Sequence, residues 1–232
     1  MNTIRCKVEH VTAFNDAVYQ VTLAPETGFD YKAGQYLCVV MGEKDKRPFS
    51  IASAPNAEKI ELHIGAAVSE SYPMQVVEKL QNSEYIDIEA PGGDAYLRSD
   101  SRRPRLLIAG GTGFSYIKSI VEQQIALGQT VETTLYWGCR NQDAMYYESI
   151  ARQWHQAHPW LHFVPVVEEA TADWEGKQAN LLTQIKQDFV SLNGYDIYIA
   201  GRFDMVGAAR EVFRTIGVEE QHLYGDAFAF IK

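Results

Sequence analysis

The sequence predicts a two-domain chain: an antiparallel β domain, then an α/β domain built on a parallel sheet. Three observations carry this. Up to about residue 97, short strand-like runs follow one another with turn residues between most of them. Past the polar run RSDSRRP at 98–104, strand and helix signals alternate strictly. The length of 232 residues suits two domains, each of about 100 residues with its own core. The expected division is 1–99 and 104–232.

In the first half the runs are TIRCKVEHVT, AVYQVTLA, QYLCVVM, PFSIAS, KIELHIG and EYIDIEA. Their close spacing points to a small antiparallel barrel or sandwich. One helix interrupts them around Tyr72–Leu80, where Met74, Val77 and Leu80 share a face. In the second half the strands are RLLIAG, TVETTLYWG, LHFVPVV and YDIYIAG, with a last one inside HLYGDAFAFI. Helices are expected at about 113–127, 143–156, 180–189 and 205–216. Such alternation implies a parallel sheet with helices on both faces.

Composition narrows the function classes. Hydrophobic content of 46% and charged content of 22% are ordinary for a folded globular chain. A formal net charge of -9 and the lack of a basic stripe argue against a nucleic-acid partner. The start MNTIRCKVEHVTAF has no apolar core of a signal peptide, and no apolar run approaches the roughly 18 residues of a membrane span. A cytoplasmic location with no membrane partner is the expectation. Cys6, Cys38 and Cys139 are odd in number and lack CxxC spacing, so they read as small buried hydrophobes rather than disulfides or metal ligands. His155, His158 and His162 lack an accompanying carboxylate pattern, and no metal is expected. Neither a GxSxG elbow nor a GK[ST] ending is present.

The sharpest motif is LLIAGGTGFS at 106–115, where a buried strand runs into Gly110, Gly111 and Gly113 and then a helix. Glycines at such a turn let backbone N–H groups approach a pyrophosphate, which the helix N-terminus also favours. The third glycine of GxGxxG is replaced by Tyr116, and a plain strand-to-helix turn is the alternative. Two further strand ends, YWGCR with Gly138 and Arg140 and YIAGRFDM with Gly201 and Arg202, point to the same sheet edge, where ligands of open parallel sheets bind. Tyr136, Trp137, Tyr146 and Tyr147 read as packing residues. The stretch KDKRPFSIASAP sets Lys44, Lys46 and Arg47 just before Pro48, Phe49 and Ser50. Pro48 suits an edge strand, Phe49 and Ile51 then face one way and Ser50 and Ala52 the other, leaving room for something flat. Taken alone, this is also an ordinary turn entering a strand.

The order and spacing of RPFS, GGTGFS, YIAGR and the aromatic end GDAFAFI resemble those of the bacterial NAD(P)H:flavin oxidoreductases, a branch of the ferredoxin–NADP reductase superfamily, over nearly the whole chain. The resemblance implies a six-stranded antiparallel flavin-binding β-barrel and a nucleotide-binding α/β domain. It would set Arg47, Pro48, Phe49 and Ser50 along the isoalloxazine, with the Ser50 hydroxyl near flavin N5 as the catalytic contact. His63, Ile64 and Gly65 would lie beside the flavin. Gly110, Gly111, Thr112, Gly113, Phe114 and Ser115 would hold the pyridine nucleotide, with Arg140, Gly201 and Arg202 at the neighbouring strand ends. Phe230 of the tail would reach the flavin edge, although the alternation Ala227, Phe228, Ala229, Phe230 is also plain strand patterning.

No cationic grip for FAD phosphates follows His63–Gly65, and the segment GAAVSESYPM offers Glu70, which repels phosphate. The implied activity is therefore hydride transfer from nicotinamide C4 of NADH or NADPH to N5 of riboflavin, FMN or FAD acting as a substrate. Reduced flavin would leave by diffusion to a luciferase, a monooxygenase or a ferric chelate. The rival enzyme is a reductase that keeps FAD and passes electrons to a protein partner. A non-enzymatic nucleotide-binding module ranks last, because RPFS would then have no role.

Overall fold

The computed structural model describes residues 1–231 and divides into two compact units. The first comprises Met1–Leu97 and Lys118–Gly128, and the second Arg98–Ile117 and Gln129–Lys232.

The first unit is a six-stranded antiparallel sheet of β1 (Asn2–Asn15), β2 (Val18–Pro25), β3 (Tyr36–Gly42), β4 (Asp45–Ser50), β5 (Ile60–Gly65) and β6 (Tyr85–Gly92), in the order β4-β3-β6-β1-β2-β5. Alternation along the strands gathers Ile4, Cys6, Val21, Leu23, Leu37, Val39, Leu62, Ile64 and Ile88 into one core. The six strands are present, but no closed barrel forms. Among the described residues no ladder joins the outer strands β4 and β5. The reason is that β4 stops at Ser50, short of the expected Ser53. Past that point the Ala52 N–H donates to the Glu61 carbonyl at 2.7 Å and the Glu61 N–H to Ser53 Oγ at 3.1 Å.

Helix α1 (Tyr72–Gln81) begins where Ser71 Oγ accepts from the Met74 N–H and Pro73 occupies the first turn. It buries Val76, Val77 and Leu80, with Met74 packed beside them.

The second unit is a six-stranded parallel sheet of β7 (Arg105–Gly110), β8 (Thr133–Cys139), β9 (Leu161–Val167), β10 (Lys177–Gln178), β11 (Asp196–Ala200) and β12 (Leu223–Tyr224), in the order β10-β9-β8-β7-β11-β12. Helices α2 (Phe114–Ala126), α3 (Glu148–Ala157), α4 (Leu181–Asp188) and α5 (Phe203–Arg214) connect them. Lys118 and the rest of α2 count with the first unit. One face of the sheet packs Leu106, Ile108, Tyr136 and Ile199 against Leu182 and Ile185 of α4 and Val206 and Phe213 of α5. On the other, Trp137 stacks on Phe114, which in turn stacks on Trp154 of α3.

Three sequence expectations change. Asp143 lies in a 3₁₀ turn (Gln142–Ala144) capped by the Asn141 side chain, and α3 starts only at Glu148. The two-residue strand β10 carries no periodic signal of its own. The tail alternation is not a strand beyond Tyr224: Asp226–Ala229 coils into a 3₁₀ turn, with the Phe228 N–H on the Gly225 carbonyl and the Phe230 N–H on the Ala227 carbonyl. Ala227 and Phe228 pack on the core from this turn. The three cysteines are free and buried, and no helix of the described residues is long and apolar enough to cross a membrane.

Candidate functional site

In the first unit, β3 and β4 form a hairpin pairing Tyr36 with Ser50, Leu37 with Phe49, Cys38 with Pro48 and Val39 with Arg47. Because side chains alternate, Arg47 and Phe49 lie on the side of buried Leu37 and Val39, and Tyr36, Pro48 and Ser50 share the other. The Arg47 guanidinium is committed. Its Nε and Nη2 donate to the Asp45 carboxylate at 2.9 and 2.7 Å, Nη1 donates to the Tyr72 carbonyl at 2.7 Å, and Nη2 also donates to Gln75 Oε1 at 2.9 Å. Its plane covers the Tyr72 ring at 4.1 Å. Arg47 thus ties β4 to the start of α1, and its hydrogen bonds hold the Asp45 carboxyl below its usual range.

Ser50 differs: half-buried, its hydroxyl makes no hydrogen bond to another described residue. Tyr36 lies directly across from it, its ring so close over Gly92 that a Cβ there would come within 2.6 Å of Tyr36 Cε2. The sequence reading missed Tyr36, and only the hairpin register reveals it. His63 and Ile64 are enclosed, so they, like Gly65, have only backbone to offer a ligand. His63 Nε2–H donates to Glu61 Oε1 at 2.7 Å, and burial pushes the imidazole pKa down.

In the second unit the glycine-rich turn sits at the carboxyl end of β7. Gly111 has φ +52, a left-handed conformation that suits glycine, with nothing within 4 Å of where a Cβ would stand. Gly113 is needed for a different reason: a Cβ would strike the carbonyl of Ala200 and come within 2.8 Å of Gly201 N at the end of β11. A Cβ on Gly110 would strike Met205 and stand 3.6 Å from Gly201 Cα. The turn and the β11 end are therefore fitted backbone to backbone, with Gly138 at the end of β8 packed under Leu181. Trp137 Nε1 donates to the Gly111 carbonyl at 2.9 Å, so this residue, read as packing alone, also holds the turn.

The remaining side chains separate by role. Phe114 is fully buried in the Trp137 stack, so its ring belongs to the core and only its backbone faces the turn. Ser115 donates back to the Thr112 carbonyl at 3.0 Å and caps the turn from within. Arg140 is exposed and paired with Glu169 at 3.0 Å. Arg202 is exposed and paired with Asp204 at 2.8 Å. Phe230 is exposed, edge to face with Phe203.

Residues 107–211 match the oxidoreductase NAD-binding domain family. The fold is that of the cytochrome P450 reductase GcoB of Amycolatopsis, with TM-score 0.85 at 22% identity over 97% of this chain and 69% of that one. An antiparallel sheet unit followed by a parallel sheet that matches an oxidoreductase NAD-binding domain defines the class of the fold. More specifically, the chain is 49% identical to the NAD(P)H-flavin reductase of Vibrio harveyi, over 99% of this chain and 100% of that protein. It is also 49% identical to the NAD(P)H-flavin reductase of Aliivibrio fischeri, over 98% and 99%. The chain belongs to this NAD(P)H-flavin reductase family.

Proposed function

We propose that this protein reduces free riboflavin, FMN or FAD with NADH or NADPH and releases the reduced flavin. Flavin binding is assigned to residues 1–99 and nucleotide binding to 104–232. The observation that carries the substrate assignment is how the polar groups near RPFS are spent. Arg47 is engaged by Asp45, Tyr72 and Gln75, and the Ser71 hydroxyl by the start of α1. The cation of RPFS itself is thus engaged within the fold, whereas Ser50, Pro48 and Tyr36 offer a flat ring a face and one unspent hydroxyl.

The residues fit both substrates. Gly111 and Gly113 leave the turn ahead of α2 without side chains, and the α2 N-terminus supplies N–H groups for a pyrophosphate. Pro48 and Tyr36 support the isoalloxazine, and Ser50 Oγ–H donates toward N5. When bound, the nicotinamide supplies a hydride from C4 and the flavin accepts it at N5. The protein aligns these rings, and the alignment lowers the barrier because the reacting atoms are held in near-attack geometry. Arg140 at the β8 end is the proposed contact for a 2′-phosphate. Consumers of the reduced flavin would be a luciferase, a monooxygenase or a ferric chelate reached by diffusion, in the cytoplasm.

The test is the anaerobic rate of NADH and NADPH oxidation by dialysed protein with and without riboflavin. Strict dependence on added riboflavin is expected, since riboflavin has no phosphate. Oxidation that needs a protein acceptor but no added flavin would instead identify a reductase with resident FAD.

A further inference from the structure

Beyond β4 the chain enters an irregular stretch that is nonetheless enclosed: Ile51, Ala52, Ser53 and Ala54 are all buried. Buried backbone outside a ladder must find hydrogen-bond partners elsewhere. The Tyr31 hydroxyl donates to the Ala54 carbonyl at 2.9 Å, and one helix supplies two further donors. Ser119 Oγ donates to the Ser53 carbonyl at 2.7 Å, and Lys118 Nζ approaches the Ala52 carbonyl at 3.5 Å. Lys118 also bridges Glu122 and Glu61, each at 2.8 Å. Glu61 itself accepts from Gln20 at 2.8 Å, and its backbone N–H donates to Ser53 Oγ at 3.1 Å. All of these residues belong to the first unit.

Lys118 and Ser119 are almost wholly enclosed, at 2% and 0% exposure. Polar side chains this deep are costly unless satisfied, and a satisfied network fixes a single geometry. Lys118 and Glu122 lie one helical turn apart and Ser119 is adjacent, so the helix presents them as one contiguous grip. What they grip is the continuation of the strand whose last residue is Ser50.

We propose that Lys118, Ser119 and Glu122 form a clamp of positioning residues. By fixing the exit path at Ala52 and Ser53, the clamp sets the orientation of the Ser50 hydroxyl for hydride transfer. The clamp does not touch substrate. The inference rests on the proposed flavin reduction and adds residues outside the RPFS strand to the determinants of its rate.

The test compares Ser119→Ala, Glu122→Ala and Glu122→Gln in the full-length protein, reading kcat with riboflavin, KM for NADH and melting temperature. Ser119→Ala and Glu122→Ala should each lower kcat about tenfold with KM for NADH changed less than twofold, because alignment rather than nucleotide binding is lost. Glu122→Gln keeps an oxygen that accepts from Lys118 Nζ and should restore most of kcat. A kcat within twofold of the parent in both alanine variants, with only the melting temperature lowered, would reduce the clamp to a structural support and overturn the proposal. So would a Glu122→Gln variant as impaired as Glu122→Ala. A parent protein with no flavin-dependent oxidation at all would refute the flavin reductase reading itself, and the clamp with it.

Discussion

Replacing Gly113 by Ala adds one methyl at a place where it must strike the Ala200 carbonyl and crowd Gly201 N. Neither neighbour is the end of a flexible side chain, so the glycine-rich turn itself has to move. Overpacking against a fixed surface costs about 1–3 kcal/mol, which lowers the melting temperature of a chain this size by about 2–4 °C per kcal/mol. The functional loss is larger in proportion. Losing one hydrogen bond between a turn N–H and the nucleotide pyrophosphate removes about 1.5–3 kcal/mol, because the acceptor is charged. That is a rise of about tenfold to about a hundredfold in the KM for NADH, at tenfold per 1.36 kcal/mol. Riboflavin affinity, which the proposed function assigns to the other unit, should be unchanged. Gly111→Asn separates fold from binding. Its site is open and left-handed, a conformation that Asn adopts readily, so its melting temperature should stay near that of the parent even where the added side chain obstructs the nucleotide. Steady-state kinetics with both substrates varied would decide. A Gly113→Ala protein with parental KM for NADH and parental melting temperature would refute the backbone-to-backbone packing argument.

Ser50→Ala should lower riboflavin affinity and turnover with an unchanged circular dichroism spectrum, and unchanged kinetics would remove Ser50 from the site. Glu169→Gln should raise the kcat/KM of NADPH relative to NADH, by freeing Arg140 from its partner and removing a charge that repels a 2′-phosphate. Arg140→Ala should lower the same ratio, and equal ratios in all three proteins would place both residues outside the site. Burial alone would raise the Glu61 pKa, but the His63 hydrogen bond and the Lys118 charge outweigh it and bring it down to about 2. The stability from this group is therefore complete above its ordinary value of 4.5 and is lost as pH falls toward about 2. His63, pushed down by burial, acts in the same direction below its ordinary 6.5. Glu122, raised by burial, acts oppositely. Melting temperature followed from pH 7 to pH 3 should fall less steeply in Glu61→Gln than in the parent, and parallel curves would contradict the assignment.

Much of this was legible in the amino-acid order because it is local. Alternation of period two marked the strands, the 3.6-residue period marked the helices, and the break at RSDSRRP separated the two patterns. The glycine-rich turn was readable for the same reason, since strand, turn and helix signals adjoin in one segment. Where partners lie far apart in the chain, the reading failed or stayed silent. Tyr36 faces Ser50 only through a hairpin register that the turn at 43–44 sets. Arg47, which looked available for a ligand, is taken up by Tyr72 and Gln75 some twenty-five residues away or more. Phe114 sits within a promising motif but stacks on Trp137 from the next strand.

The sequence by itself determined the two architectures, their order and the two motifs proposed to hold the substrates, because backbone periodicity and turn chemistry act between near neighbours. Only the tertiary structure decided that the six-stranded sheet stays unclosed, that the tail coils instead of extending, and which polar groups are spent on the fold. Those outcomes depend on which distant atom satisfies each donor and acceptor, and that pairing exists only once the chain has packed.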